Sequence, residues 1–270
     1  MTDLGRLPPA QARGFVRIDG TESSLDSASV AEEVPVAFVY GGKPHVVMLC
    51  TPSDLEDLAI GFTLSEEIAS SASDISRVDV VRHARGIEVQ MELPPDAQAR
   101  VANRTRALAG RTGCGLCGID AIDNAIRAPR VITSAARFTS AAITHAGESL
   151  ASQQPVNNET RAVHAAAWAD ADGALRIVRE DVGRHNALDK VIGGLASAKT
   201  DASSGFFVVT SRASYELVQK VAVTGSPLLA AVSRPTGLAI RFAEEANLTL
   251  VGLLRGQSAN IYSHPGRISL

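Results

Sequence analysis

The chain has 270 residues, of which 45% are hydrophobic, and its formal net charge is −3. This length fits one or two domains, and the small negative charge excludes the overall basic surface that is typical of nucleic-acid-binding proteins. No apolar run reaches the roughly 20 residues needed to cross a bilayer, and the first 31 residues lack the apolar stretch of a signal peptide. We therefore expect a cytoplasmic protein with no nucleic-acid partner and no membrane partner.

The first half of the chain predicts a disordered tail followed by a small α+β domain. Residues 1–30 have few periodic apolar positions and are predicted to be a mobile tail. Alternating apolar residues around Gly41-Gly42 and around Arg85-Gly86 predict two hairpins. A helix is expected between them, beginning at Ser53-Asp54, because an apolar stripe at helical spacing follows. The pattern of residues 96–109 fits a helix or a strand equally well.

Strands and helices alternate in the second half. The predicted strands are 175–178, 205–210, 228–232 and 248–254, and the predicted helices are 187–196, 214–223 and 236–246. Such alternation is typical of a layered α/β sheet with helices packed on it. We therefore divide the chain into a disordered tail (1–30), an N-terminal α+β domain (31–130) and a C-terminal α/β domain (131–270). The fold class is α/β, or α+β overall.

A pair of cysteines, Cys114 and Cys117, is flanked and separated by glycines. The spacing is compatible with half of a zinc site, with a thioredoxin-like redox pair, or with a sulfur relay in which one thiolate carries a persulfide. Zinc needs four ligands, and the remaining cysteine, Cys50, stands alone at the end of an apolar strand, where we expect it to be a core residue. Arg111 favours a reactive thiolate nearby. The spacing alone leaves the three alternatives open.

Polar residues gather at four junctions of the second half. The segment Glu180–Lys190 places Arg184, His185 and Asn186 between a strand and a helix, where they could meet an anion, although a capped helix with a solvated face is the simpler alternative. Arg212 and Arg234 lie at two further strand-to-helix junctions, and Arg255 follows the last predicted strand. In an α/β sheet the carboxyl ends of the strands line up where ligands bind. Several such turns on one edge would suit a ligand with several phosphates.

These motifs together resemble the FdhD family of formate dehydrogenase accessory sulfurtransferases. The resemblance is carried by Glu180–Lys190, by Cys114–Gly118, by Cys50–Pro52, by Ser214–Lys220 and by Asn260–Tyr262, and it covers nearly everything after residue 31. It implies a C-terminal domain similar to the cytidine deaminase fold, and a homodimer. Zinc-dependent deamination is not expected, because His164 is followed by Ala165 and Ala166 where a deaminase has His-x-Glu.

The resemblance also implies a role. Sulfur would come from a cysteine desulfurase, reside on Cys114 as a persulfide with Cys117 assisting, and pass to the molybdenum bis-guanine-dinucleotide cofactor before that cofactor enters formate dehydrogenase. GDP would be a partial mimic of the bound cofactor, and no metal of the protein's own is expected. The stretch that matches the family's cofactor-binding residues is Leu253, Leu254, Arg255, Gly256, Gln257 and Ser258. The junction residues His185 and Arg212 are expected to bind the cofactor with them. A zinc-binding interaction module and a cofactor chaperone that moves no sulfur are the rival hypotheses.

Overall fold

The computed structural model describes residues 3–108 and 126–270. Within them, residues 10–31 form a long hairpin, hereafter the arm, so the predicted disordered tail is wrong over this range. Strands β1 (Ala10–Asp19) and β2 (Glu22–Ala31) pair antiparallel along their whole length. Nearly all of their side chains are exposed. Because the arm buries no face in its own chain, it lacks the inward-facing apolar pattern by which a strand is recognised in a sequence.

The N-terminal part contains a four-stranded sheet packed against helix α1. Its strands are β3 (Val34–Tyr40), β4 (Lys43–Cys50), β5 (Arg77–His83) and β6 (Gly86–Glu92), and its helices are α1 (Leu55–Ser65) and α2 (Pro95–Leu108). The strand order is β4-β3-β6-β5, with β3 and β6 parallel. Both predicted hairpins and the helix between them are confirmed, and α2 is helical where the sequence pattern left two alternatives.

The C-terminal part is built on a six-stranded sheet with the order β13-β12-β11-β10-β8-β9. Its strands are β8 (His164–Ala169), β9 (Leu175–Asp181), β10 (Phe206–Val209), β11 (Leu228–Ala231), β12 (Thr249–Arg255) and β13 (Ser258–Ser263). The helices are α3 (Ser140–Ser152), α4 (Pro155–Thr160), α5 (Arg184–Ser197), α6 (Tyr215–Thr224) and α7 (Gly237–Glu245). Two short strands, β7 (Phe138–Thr139) and β14 (Ile268–Ser269), pair beside it.

Helices cover both faces of this sheet. Phe207, Val209 and Leu229 point into the core formed with α5, α6 and α7, whereas the alternate residues Phe206 and Val208 point into the core formed with α3. Strands buried on both faces read as continuous apolar runs, which is how β10 and β11 look in the sequence. The predicted layered α/β architecture is therefore confirmed. None of the described helices combines the length and apolar character needed to cross a bilayer.

Helices α1 and α5 cross at a pair of glycines and join the two parts. A Cβ atom on Gly61 would collide with the carbonyl oxygen of Asp189, and one on Gly193 would collide with the carbonyl oxygen of Asp57. Only glycine permits this close approach of the two helix backbones. Arg179 adds an ion pair across the junction, with its guanidinium 2.7 Å from the Asp57 carboxylate. The domain boundary at residue 130 stays a prediction.

Candidate functional site

The polar strand-to-helix junctions lie along one edge of the six-stranded sheet, namely the edge formed by the carboxyl ends of its parallel strands. Strands β10, β11 and β12 run parallel, so their carboxyl ends lie at the same edge. Strand β8 is antiparallel to β10 and begins there with His164, and β9 ends there at Asp181, its partner in the β8–β9 pair. Helices α5, α6 and α7 also begin at this edge, hereafter the site edge. The sheet topology therefore brings together the junctions that the sequence predicted to share an edge.

Part of the Glu180–Lys190 segment has a structural role, because its side chains form buried contacts between distant parts of the chain. The Nζ atom of Lys190 lies 2.7 Å from Oδ2 of Asp181, and both side chains are fully buried. Lys190 also donates to the backbone carbonyl of Thr51, and the Asp181 carboxylate accepts from the Thr51 backbone N–H at 3.0 Å. This ion pair therefore links the C-terminal sheet to the start of the chain segment that leads into α1.

Asn186 has the same structural role, and this corrects the expectation that it faces an anion. Its side-chain amide donates to the carbonyl of Leu49 at 3.1 Å, to Oδ1 of Asp181 at 3.0 Å and to Sγ of Cys50 at 3.4 Å. The side chain is buried and its donors are used. Cys50 is fully buried, as predicted, and burial raises the pKa of its thiol far above the usual range. It is therefore a core residue and not a thiolate nucleophile.

A second buried cluster joins α1, α5 and α6. Lys220 places Nζ at 2.9 Å from Oδ2 of Asp189 and at 3.2 Å from Oε1 of Glu66, and it donates to Ser65 at 2.8 Å. Burial alone would lower the pKa of Lys220, but the two carboxylates outweigh it and raise that pKa. The lysine is thus held charged inside the protein. Asp189 and Lys220 lie within sequence motifs that we associated with function, yet their described contacts are structural.

Arg184 and His185 remain at the site edge, beside the first turn of α6. His185 Nε2 lies 3.8 Å from Oε2 of Glu216, and this imidazole is the largest influence on the carboxyl, lowering the pKa of Glu216 to about 2 against the opposing effect of burial. Burial lowers the pKa of His164, and the electrostatic influence of the neighbouring Arg184 and His185 side chains lowers it further. The site edge is therefore a crowded, positively polarised patch, with Glu216 as a counter-charge that sequence reasoning missed.

Three buried polar atoms at this patch have no hydrogen-bond partner among the described residues. They are Nε of Arg184, Nε2 of His185 and Oγ of Ser214. Ser214 is the N-cap of α6 but its side chain makes no capping bond, and Gly183, the N-cap of α5, has no side chain to make one. Backbone N–H groups at helix starts attract anions. Unused side-chain donors beside two such starts have the chemistry of an anion-binding site.

The predicted cofactor stretch 253–258 forms the hairpin between β12 and β13. Leu253 adopts a left-handed conformation, with φ of 54°, and its backbone N–H donates to the carbonyl of Ser233 at 3.1 Å. Leu254 is buried against α3 and can offer only backbone groups to a ligand. The remaining residues, Arg255, Gly256, Gln257 and Ser258, are exposed. Gln257 also lines a cavity of about 400 Å³ above the first turns of α3.

The two ends of the site edge lie far apart. Four strand spacings separate β9, which leads to His185, from β12, which ends at Arg255, and this corresponds to about 19 Å. Arg212 and Arg234 are exposed at the junctions in between. One small anion could contact only part of this edge. A long ligand with several negative charges matches its extent.

Cys114 and Cys117 lie outside the described residues. Where the described chain resumes, the backbone N–H of Arg127 donates to the hydroxyl of Tyr215, the first residue of α6, at 2.7 Å, and the Arg127 guanidinium pairs with the Glu66 carboxylate. Cys117 is ten residues from this anchor, so an extended chain could span at most roughly 35 Å. The described residues contain no cluster of three or more side chains placed to hold a metal ion.

The fold and the site edge define a layered α/β protein whose polar strand-to-helix junctions lie along one edge of its main sheet. The family model for the FdhD/NarQ family matches residues 31–269, and the chain belongs to this family. It is 50% identical over 263 residues to the sulfur carrier protein FdhD of Xanthomonas euvesicatoria pv. vesicatoria strain 85-10, covering 97% of this chain and 94% of that protein. It is 51% identical over 247 residues to the protein of the same name from Cupriavidus necator H16, covering 92% and 86%.

A solved structure has the same fold. The crystal structure from Desulfotalea psychrophila, described as that of a formate dehydrogenase accessory protein, superposes with a TM-score of 0.76 and covers 97% of this chain and all of its own. Its sequence identity is 22%, so this likeness concerns the fold alone.

Proposed function

We propose that the protein is a cytoplasmic, homodimeric sulfur carrier that supplies sulfur to the molybdenum bis-guanine-dinucleotide cofactor of a formate dehydrogenase. The observation that carries the proposal is the Cys114–Cys117 pair in a chain that is half identical to proteins named sulfur carriers. The donor in this scheme is a cysteine desulfurase. The acceptor cofactor is a substrate here and not a resident group of the protein.

The sulfur-transfer step needs no external oxidant. The Cys114 thiolate attacks the terminal sulfur of the desulfurase persulfide, so that one S–S bond forms on Cys114 while the donor's S–S bond breaks and the donor cysteine leaves as a thiolate. A low thiol pKa favours this attack. The third cysteine, Cys50, cannot take this role, because its thiol is buried and its pKa is raised. This contrast supports Cys114 and Cys117 as the residues that carry the sulfur.

The site edge is the proposed cofactor-binding surface. The side chains of Arg184, His185 and Ser214, together with the backbone N–H groups at the uncapped starts of α5 and α6, would donate hydrogen bonds to phosphate oxygens at one end. Arg255 in the exposed hairpin would contact the ligand about 19 Å away. The dinucleotide arms of the proposed acceptor carry phosphates over such a distance. Glu216, whose carboxylate lies 3.8 Å from Nε2 of His185, would be a positioning residue for the His185 ring.

Persulfide formation can be tested by mass spectrometry. Incubation of the purified protein with a cysteine desulfurase and cysteine should add the mass of one sulfur atom at Cys114, and a thiol reductant should remove it. Cys114→Ala should abolish the adduct and the activation of formate dehydrogenase, whereas the control variant Cys50→Ala should retain both. An adduct that is absent in the wild-type protein, or full activation by Cys114→Ala, would contradict the proposal. Stoichiometric zinc bound by the two cysteines would favour the zinc module instead.

Cofactor binding can be tested with GDP. Arg212→Gln and Arg255→Gln should each weaken GDP binding, and the loss should be larger at low salt because exposed charges are screened at high salt. Arg85→Gln is the matched control, since Arg85 is also exposed but lies in the β5–β6 turn. Unchanged GDP affinity in both variants at every salt concentration would remove these arginines from the site.

A further inference from the structure

A cavity of about 480 Å³ lies at the edge of the six-stranded sheet opposite the site edge, and Arg137, His264 and Arg267 are among its lining residues. It lies there because β13 is antiparallel to β12, so that His264, which follows β13, is next to Thr249, where β12 begins. The Thr249 hydroxyl donates to the His264 carbonyl at 2.9 Å. Arg255, at the other end of β12, is roughly 20 Å away. The cavity is therefore separate from the proposed cofactor-binding surface.

Two arginines lie side by side at this cavity. Strands β7 and β14 are parallel, and Phe138 pairs with Ile268. Arg137 and Arg267 immediately precede this pair, so their backbones are about one strand spacing apart, roughly 5 Å. Like charges at neighbouring positions of two strands repel each other. Because both guanidinium groups line one cavity, an anion between them would relieve this repulsion.

Among the described residues neither of these two arginines forms an ion pair, whereas Arg179, for example, lies 2.7 Å from the Asp57 carboxylate. Arg267 is half-buried, and its two hydrogen bonds are long, at 3.5 Å to the Thr249 hydroxyl and 3.4 Å to the Ser134 carbonyl. Burial lowers the pKa of Arg267. A partly buried charge without a counter-charge costs free energy, and a bound anion would recover part of it.

Helix α7 ends beside the cavity, since Asn247, which follows it, is one of the lining residues. The carbonyl groups at the end of a helix carry partial negative charge. Here the carbonyl of Glu244, in the last turn, already accepts from Nε2 of the His264 ring at 2.9 Å. The carboxylates of Glu244 and Glu245 are exposed and pair with neither arginine. The guanidinium donors therefore have no charged acceptor within the described part of the chain.

We propose that this cavity binds a phosphate-type oxyanion, with Arg137 and Arg267 as the two groups that hold it. A guanidinium presents paired donors that match two oxygens of an oxyanion. A carboxylate has only two oxygens and satisfies one such pair, whereas a tetrahedral phosphate can meet both. The volume of about 480 Å³ is typical of small-molecule sites and leaves room for an organic group attached to the phosphate. The inference goes beyond the proposed function and uses none of the residues assigned to sulfur transfer or cofactor binding.

Arginine modification of the full chain by phenylglyoxal, located by mass spectrometry of peptides, tests the inference. Inorganic phosphate at about ten times its dissociation constant should slow the modification of Arg137 and Arg267 roughly tenfold, because mass action then leaves few sites free. Arg85, exposed in the β5–β6 turn, is the internal control and should react at the same rate with and without phosphate. Sodium chloride at matched ionic strength should protect none of the three, since screening does not cover a guanidinium.

The protection of Arg267 also reports on variants of its neighbour. Arg137→Gln should raise the dissociation constant for phosphate about tenfold or more, because charge-assisted hydrogen bonds to the anion are lost. Arg241→Gln is the matched control, since Arg241 is exposed on α7 and is not a lining residue of the cavity. It should change the constant less than about threefold. The melting temperature of each variant, measured without phosphate, checks that the protein stays folded.

Two further probes define the ligand. Glycerol 3-phosphate and inorganic phosphate should both protect Arg267; stronger protection by the ester would identify a phosphorylated small molecule as the ligand, and equal protection would identify the free phosphate ion. Acetate at the same concentration should protect less, and equal protection by acetate would overturn the assignment to phosphate. Unchanged modification of Arg267 in phosphate, or equal protection of Arg85, would overturn the site itself. Persulfide formation at Cys114 is independent of all these results.

Discussion

Replacing Lys190 with methionine tests whether the ion pair with Asp181 holds the two parts of the protein together. The lysine Nζ lies 2.7 Å from Oδ2 of Asp181 with both side chains fully buried, so Lys190→Met leaves a carboxylate in the interior without its counter-charge. Removing one partner of such a pair costs about 3–5 kcal/mol. Asp181 keeps the backbone N–H groups of Thr51 and Gly183 as donors. We therefore expect the lower end, about 3 kcal/mol.

Urea unfolding and thermal melting would measure this loss. For a chain of this size, about 3 kcal/mol corresponds to a fall in melting temperature of roughly 6–12 °C. Lys43→Met is the matched control, because Lys43 is exposed at the start of β4 and its replacement should cost less than about 0.5 kcal/mol. The double variant Asp181→Asn, Lys190→Met should recover part of the loss, since it removes the unpaired charge. A loss below about 1 kcal/mol for Lys190→Met would refute the reasoning.

Three further predictions concern Glu216, Gly61 and Cys50. Because the pKa of Glu216 is lowered to about 2, the stability that its ionised carboxylate contributes is present above the ordinary pKa of 4.5 and is lost as the pH falls toward 2. The difference in melting temperature between the wild type and Glu216→Gln should therefore vanish over that pH interval. A difference that stays constant would contradict this prediction. Gly61→Ala should lower the free energy of unfolding in urea by about 3 kcal/mol or more, because the new Cβ atom would collide with the backbone of α5. Gly266→Ala is the control and should cost less than about 0.5 kcal/mol, because a Cβ atom at Gly266 would meet no other atom within 4 Å. Cys50 should resist iodoacetamide in the native protein between pH 7 and about pH 9 and react after unfolding, since its thiol is buried with a raised pKa; native labelling would contradict its assignment to the core.

The segment Glu180–Lys190 illustrates what could be predicted about the site and what could not. Its density of polar residues before an apolar stripe predicted an anion site at the strand-to-helix junction, and this stays a prediction. The residues divide between two roles, however, because Asn186 and Lys190 turn toward Thr51 and its neighbours while Arg184 and His185 turn toward the site edge. The partners of the first group lie 136 to 139 residues earlier in the chain, so no local pattern contains them.

Neither strand β8 nor the arm could be recognised from the sequence pattern. The sequence His164–Ala169 is rich in alanine and lacks the β-branched residues that mark strands. It becomes a strand because small side chains fit between the two helical layers and because β9 and β10 pair with it on both sides. The arm shows the opposite case, since its strands are stabilised by pairing with each other while their side chains stay in solvent.

The sequence by itself determined the alternation of strands and helices, the two N-terminal hairpins, the burial of Cys50 and the likeness of its motifs to a family of sulfur carriers. These features depend on local periodicity, on turn residues or on the order of short motifs. Only the tertiary structure decided which polar side chains are structural and which face the site edge, because that choice depends on partners that are distant in the chain. It also revealed Glu216 beside His185 and the exposed arm, since two elements must be placed in space before their contact exists.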